Sequence, residues 1–263
     1  MGKSLKQSLA EFRARWREAR SFGVSLRDLN RTRRPSEAPI LLKTRFGEFH
    51  VRGGDTDVAV IKQVFVNREY DFSRLPQSKD LQKAYEDILS AGLRPLILDA
   101  GANNGASALW FAGQFPRARV VAIEPDPSNA ELARVNTRRA GNVDVLEAAI
   151  GAQEGRVRLI DNAHKEAWGK KTERADDGVP VVTVPSVLAN YPDGRLFIVK
   201  IDIEGFERDL FSANTDWVDA AAAIFIEPHD WMTLTRRSSA TLQKVMFSKD
   251  REILILGENL MFV

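Results

Sequence analysis

The stretch LILDAGANNGASALWF, residues 96–111, decides the fold. Its apolar run ends in Asp99. Small residues and amides follow, and then a helical pattern begins. An apolar run of this length bounded by turn residues reads as a buried strand. Gly101, Ala102, Asn103, Asn104 and Gly105 sit where that strand ends and the helix starts. Residues this small at such a turn let another group come close to the backbone.

Downstream of this unit the pattern repeats. Strand RVVAIE (119–124) precedes helix 127–140, with Pro127 in its first turn. VDVLEAAI (143–150) reads as a third strand and leads into a looser region, 151–194. LFIVKID (196–202) precedes a short helix near 206–212, and AAIFIE (222–227) precedes helix 238–247. EILILG and NLMFV form a closing hairpin. Strands alternating with helices predict an α/β fold, a doubly wound, Rossmann-like, mostly parallel sheet. Upstream, ILLKTRFGEFHVRGG (40–54) alternates about Phe46-Gly47 as a β-hairpin does. TDVAVIKQVFV and SKDLQKAYEDILSAG read as helices, the latter with Ser78 as N-cap and Gly92 as C-cap. Three segments are expected: a basic amphipathic helix and linker (1–38), a hairpin-and-helix cap on the acceptor side (39–93), and a ligand-binding domain (94–263).

Composition narrows the function classes. The 263 residues are 44% hydrophobic, enough for a core, and none is cysteine. Disulfides, thiolate metal sites and cysteine nucleophiles are therefore excluded. No apolar run approaches the roughly 18 residues of a spanning helix, and the first residues lack a secretory signal pattern. A cytoplasmic protein is the default expectation. The net charge of +2 conceals an asymmetry. Lys3, Lys6, Arg13, Arg15, Arg17, Arg20, Arg27, Arg31, Arg33 and Arg34 face only Glu11, Glu18 and Asp28 in the first 34 positions. Leu5, Leu9, Phe12 and Trp16 recur at helical spacing, so residues 4–20 read as an amphipathic helix. Two readings stand: a face docked on its own domain or on a second subunit of a homo-oligomer, or a peripheral membrane contact flanked by basic residues. Few aromatics interleave with the basic arm, so nucleic acid is not an expected partner.

The carboxyl ends of the strands collect acids: Asp99, Glu124, Asp202 with Glu204, and Glu227 beside His229. Ligands of doubly wound sheets bind beyond that edge. A dinucleotide fingerprint needs glycine at the middle position of G-x-G-x-x-G, and here that position is Asn103. A Walker lysine is also missing. The helix N-terminus still offers N–H groups to a smaller anion such as a carboxylate. Asn103 and Asn104 offer both donors and acceptors. Glu124, 19 residues beyond Gly105, stands where an acid accepts from ribose hydroxyls. A nucleoside with a short zwitterionic tail and no phosphate is implied, which describes S-adenosyl-L-methionine. A tight turn with two end-of-strand acids is the bland alternative.

These motifs resemble the FkbM-type family of S-adenosylmethionine-dependent, class I methyltransferases. The resemblance covers about residues 50–263 and rests on VRGGDTDVAVIKQVFV with REY, LDAGANNGASAL, VVAIEPDPSNAELARVN, AAIGAQEG, IFIEPH and, most specifically, VKIDIEGFE. It implies a seven-stranded sheet with a reversed last strand and O-methylation of a hydroxyl on a sugar, glycan or natural-product small molecule. By position it implies that Asp99, Gly101, Asn103 and Gly105, with Asn104 and Ser107, hold the methionine end. Glu124 then takes the ribose, Pro125 and Asp126 lie beside the adenosine, and Ala148-Ala149 offer a backbone edge to adenine. Asp202 sits near the methyl and amino groups. Phe206 departs from the small residue more usual after EG, which leaves that pocket wall open.

Methyl transfer from a sulfonium chiefly needs positioning, plus a base for the acceptor hydroxyl. Of His50, His164 and His229, the last follows a strand end and is the expected base; the alternative is a rim histidine that orients substrate. Asp202 and Glu204 complete the catalytic set. Asp202, Glu204, Glu227 and His229 could instead gather magnesium or manganese, if the strand continues through Glu204 and pleating puts both acids on one face. Arg52 and Trp168 are the further substrate-contact expectations. Arg52 either grips an anionic group or pairs with Asp55 or Asp57, and Trp168 either stacks on a sugar, closing as a lid, or anchors at the surface. Competing classes are a nicotinamide-dependent oxidoreductase or epimerase, which Asn103 and the lack of a YxxxK pair oppose, and a non-catalytic partner-binding member.

Overall fold

The computed structural model describes residues 5–161, 170–230 and 239–263. The chain forms two compact units, 1–68 and 69–263.

In the first unit, α1 (Leu5–Phe22) is followed by α2 (Leu26–Thr32), which Ser25 caps by accepting from the Asp28 N–H. Arg31 and Thr32 therefore lie inside a helix, and the linker expected before residue 39 starts after them. Strands β1 (Ile40–Thr44) and β2 (Gly47–Val51) pair antiparallel, Ile40 opposite Val51 and Thr44 opposite Gly47, as the alternation predicts. Helix α3 (Asp57–Ile61) runs directly into a π-helical turn, Lys62–Asn67, which ends at Arg68 in the left-handed region.

The second unit opens with α4 (Ser78–Ser90). It continues through β3 (Arg94–Ala100), α5 (Ala106–Gln114), β4 (Arg119–Ile123), α6 (Pro127–Thr137) and β5 (Val143–Leu146). After β6 (Ala149–Ile150), β7 (Gly155–Asp161), β8 (Lys170–Ala175) and β9 (Val179–Val182) come α7 (Val184–Ala189) and β10 (Gly194–Ile201). Helices α8 (Glu207–Leu210) and α9 (Trp217–Ala220) lead to β11 (Ala223–Ile226). Helix α10 (Ala240–Met246) and the hairpin β12 (Ile253–Leu256) and β13 (Asn259–Phe262) complete it.

The main sheet has seven strands in the order β12-β13-β11-β10-β3-β4-β5. Its centre is parallel, and β13 runs antiparallel to both neighbours. This is the seven-stranded, mostly parallel arrangement with a reversed last strand. Leu96, Ile97 and Leu98 are completely buried, as expected for a strand covered on both faces. The chain lays β4 and β5 on one side of β3 and returns to place β10 on the other. That reversal opens the crevice beyond β3 and β10 where doubly wound sheets bind ligands.

Two expectations are corrected here. Residues 143–150 are not one strand: β5 ends at Leu146, and Ala149-Ile150 pairs with β9 instead. The chain changes sheet because the Ala148 N–H turns to the carbonyls of Glu124 and Leu146. The described residues of 151–194 are not loose: they supply β7, β8 and β9, which with β6 form a four-stranded sheet in the order β6-β9-β7-β8. Arg174 on β8 ties this sheet to Asp209 on α8 through two hydrogen bonds of 2.9 and 2.7 Å.

Candidate active site

A cleft opens at the carboxyl edge of the main sheet, lined by Gly101, Asn103, Glu124, Pro125, Ala148, Ala149, Asp202 and Glu204 from the expected set. Its floor is the contact between β3 and β10. Gly101 has φ +80°, and a Cβ there would lie 1.7 Å from the Asp202 carbonyl oxygen. Glycine is thus required for the two strand ends to meet. Gly105, also at positive φ, sits against Ala133 and Thr137 of α6.

Glu124 forms one wall. The Asn103 N–H donates to its Oε2 at 2.8 Å and the Asp126 N–H to its Oε1 at 2.9 Å. Burial pushes its pKa up to about 6, although these bonds pull it down. Asn129 Nδ2 also donates to Oε1, at 3.4 Å, so Oε2 is the oxygen that keeps a free lone pair. Asp126 itself caps α6 by accepting from the N–H groups of Ser128 and Asn129.

Several expected residues support the cleft rather than line it. Asp99 is fully buried and accepts from Ser107 Oγ at 2.6 Å. Asn104 is fully buried; its side chain accepts from the Ala106 N–H and its carbonyl from Asn136. Lys200, buried between β3 and β11, places Nζ 2.6 Å from the Gly101 carbonyl oxygen, 3.2 Å from Asp99 and 3.4 Å from Asp202. Burial opposes its charge, but Asp99, Tyr70 and Asp202 outweigh it and hold the pKa above the ordinary value.

The other end of the cleft is acidic. Strand β10 stops at Ile201, so the expected pleating of Asp202 and Glu204 onto one face does not occur. A turn brings them to the same cleft instead, with Glu204 at φ +53° and Gly205 at +88°. His229 is buried; its Nδ1 lies 2.8 Å from Glu207 Oε1, and its Nε2 lies 3.5 Å from Asp202 and 3.7 Å from Glu227. Burial disfavours charging the ring, yet the Glu207 hydrogen bond and the nearby carboxylates raise its pKa to about 9. Burial and then the Asp202 charge raise Glu227 to about 7 and Glu204 to about 8. Asp202, Glu227 and His229 each offer a ligand atom within 4.8 Å of the others; Glu204 is outside that set.

Arg52 belongs to the first unit, where Asp57 engages it through Nε at 3.0 Å and Nη2 at 2.6 Å. This is the ion pair left open as its alternative. Trp168 and His164 lie outside the described residues. The sequence reading missed Asn129, Thr172, Ile123, Ile150 and Ile203 in the cleft wall, while Phe206 does form part of it. Asn129 had a signal, since it opens α6 five residues after Glu124. Thr172 had none, because β8 reaches the cleft only through the second sheet.

Sheet order, glycine floor and acid wall define a class I methyltransferase architecture. Residues 99–245, more than half of the chain, match the methyltransferase FkbM domain. The chain belongs to the FkbM methyltransferase family. It is 24% identical over 187 residues to methyltransferase sdnD of Sordaria araneosa, covering 57% of this chain and 66% of that protein. It is 45% identical over 56 residues to catechol O-methyltransferase of Mycobacterium tuberculosis, covering 21% of this chain and 26% of that protein. The crystal structure of methyltransferase FkbM from Methylobacillus flagellatus is similar at 20% identity and a TM-score of 0.43, over 65% of this chain and 44% of that one. The matches thus span between a quarter and just under two thirds of those two curated relatives.

Proposed function

We propose that this protein is an S-adenosylmethionine-dependent O-methyltransferase acting on a hydroxyl of a sugar, glycan or natural-product small molecule. The observation that carries the reading is the cleft at the β3–β10 junction, lined by Glu124 on one side and by Asp202 and Glu204 on the other, inside the family's domain; Glu227 and the buried His229 do not line it but group with Asp202. The O-methyltransferase name of the Mycobacterium relative supports oxygen as the acceptor atom.

The residues fit the cofactor. Glu124 Oε2 retains a lone pair for a ribose hydroxyl, Ala148-Ala149 flank the adenine position, and the Gly101–Asn103 backbone faces the amino-acid end. Asp99, Asn104, Gly105, Ser107 and Asp126 hold those groups in place from beneath. When bound, S-adenosylmethionine supplies a methyl group already activated by its sulfonium. The chain's task is to align the acceptor oxygen with that carbon and remove the hydroxyl proton. His229 is held protonated at neutral pH by its carboxylate neighbours, so alone it is a poor base. Glu227 changes protonation near pH 7 and lies 3.7 Å from the ring. The Glu227–His229 pair therefore acts as the proton acceptor, the two titrating together. Glu227 would take the acceptor hydroxyl's proton as that oxygen accepts the methyl group.

A second reading puts a divalent cation where the imidazolium charge now balances the acids. Two carboxylates and an imidazole Nε2, with Nδ1–H directed at Glu207, suit magnesium or manganese with a carboxylate-supported histidine. Such an ion would bind the acceptor oxygen and lower its pKa.

Calorimetric titration with S-adenosylhomocysteine, with NAD as control, tests the cofactor. Product binding without an NAD response is expected; an NAD response or no product binding overturns the reading. Chelation followed by magnesium or manganese separates the proton and cation readings: activity lost and restored selects the cation.

A further inference from the structure

Helix α1 carries one apolar stripe, which is buried toward the carboxyl end of the helix and exposed before it. Ala19 and Phe22 are 3% and 0% exposed, and beside them Glu11, Arg15 and Glu18 are half-buried. Glu18 pairs there with Arg33. The exposed part of the stripe is Leu9, Phe12 and Trp16, spaced by three and four residues and therefore on one side of the helix. These side chains are 50%, 54% and 48% exposed.

One flank of that exposed stripe is basic. Arg13, Arg17 and Arg20 are exposed, while both acids of the described helix lie on the half-buried side. The Arg20 guanidinium lies 5.4 Å from the centre of the Trp16 ring, poised at the edge of the apolar stripe. The exposed Arg27, Arg31, Arg33 and Arg34 extend the same charge into α2 and beyond, against an exposed Asp28. No described helix is long and apolar enough to cross a membrane. A helix with an aromatic stripe, a cationic rim and low overall hydrophobicity matches the interfacial type, whose binding combines apolar burial with attraction to anionic headgroups.

We infer that α1 docks on an anionic lipid surface, with Leu9, Phe12 and Trp16 at the acyl boundary and Arg13, Arg17 and Arg20 on the lipid phosphates. A lipid surface fits better than a second copy of the helix. An antiparallel two-fold pairing of this stripe would set one arginine rim against another, whereas anionic headgroups complement it. The inference is independent of the chemistry proposed for the cleft.

The test is co-sedimentation of the full chain with phosphatidylcholine vesicles, with and without about a third phosphatidylglycerol, a composition rich enough to carry a strong negative surface potential. Binding to the anionic vesicles, weakened by high salt, is expected. Phe12→Glu with Trp16→Glu should lower it at least severalfold. Phe12→Gln, a mild change at an exposed position, guards against misfolding of the double variant and should lower it in part. Replacing Arg13, Arg17 and Arg20 with glutamine should abolish the preference for anionic vesicles. Product titration of each variant confirms that the second unit is intact. The inference is overturned if the chain does not sediment with anionic vesicles, or if the Phe12 and Trp16 variants sediment as the parent does. It is also overturned if light scattering shows a dimer that Phe12→Gln dissociates while vesicle binding is absent.

Discussion

Replacing Gly101 with alanine tests the architecture of the cleft floor directly. The new Cβ would sit 1.7 Å from the Asp202 carbonyl oxygen and 2.8 Å from the carbonyl carbon. Ordinary non-bonded separations are about 3.5 Å, so the end of β10 would have to retreat by roughly 1.5–2 Å. That retreat breaks the hydrogen bond from the Asp202 N–H to the Ala100 carbonyl, 3.0 Å long, and the one from Lys200 Nζ to the Gly101 carbonyl, 2.6 Å long. Loss of the first costs about 0.5–1.5 kcal/mol and of the charged second about 1.5–3 kcal/mol. Holding alanine at φ +80° adds about 1–2 kcal/mol. The sum is about 3–6.5 kcal/mol, which at about 2–4 °C per kcal/mol lowers Tm by roughly 6–26 °C. Thermal unfolding followed by circular dichroism reads this, and calorimetry should show weakened S-adenosylhomocysteine binding in whatever folds. A variant melting within about 2 °C of the parent and binding product equally well would refute the close contact between β3 and β10.

Other consequences follow from single groups. Glu124→Gln turns one oxygen into an NH2 that opposes the N–H of Asn103 or Asp126, so product affinity should fall about tenfold or more; unchanged calorimetric affinity would place the ribose elsewhere. Because burial raises the Glu124 pKa to about 6, product affinity should be flat above pH 7 and decline as the carboxylate protonates below 6, a decline absent in Glu124→Gln. His229 binds its proton more tightly folded, about 9, than its ordinary 6.5. Its contribution to stability is therefore complete below pH 6.5 and lost as pH rises through 9. Denaturant midpoints measured in chelator should fall across that window, and a flat profile would contradict the imidazolium assignment. Lys200→Met leaves Asp99 without its buried partner and should cost about 3–5 kcal/mol by denaturant unfolding; a loss below about 1 kcal/mol would refute the pairing of Lys200 with Asp99.

Sequence by itself determined the elements whose signal is local. The run ending at Asp99, the glycines of the loop, the Asp126-Pro127 entry to α6 and the alternation about Phe46-Gly47 each follow from periodicity or turn chemistry within a few residues. The acids at four strand ends were legible for the same reason. Only the tertiary structure decided what depends on partners distant in sequence. Lys200 reads as one charge inside a strand; its place between Asp99 and Asp202 exists because β10 pairs with β3. Strands β7 and β8, GRVRLID and KKTERA, carry too few apolar residues to announce themselves, and pairing with each other makes them strands. Asp202 and Glu204 meet through a left-handed turn at Glu204, a conformation side-chain periodicity cannot encode. Along α1, spacing marked one stripe of apolar residues, but spacing is silent on coverage. Packing buried Ala19 and Phe22 and left Leu9, Phe12 and Trp16 facing outward, because burial is a property of the neighbours a fold supplies.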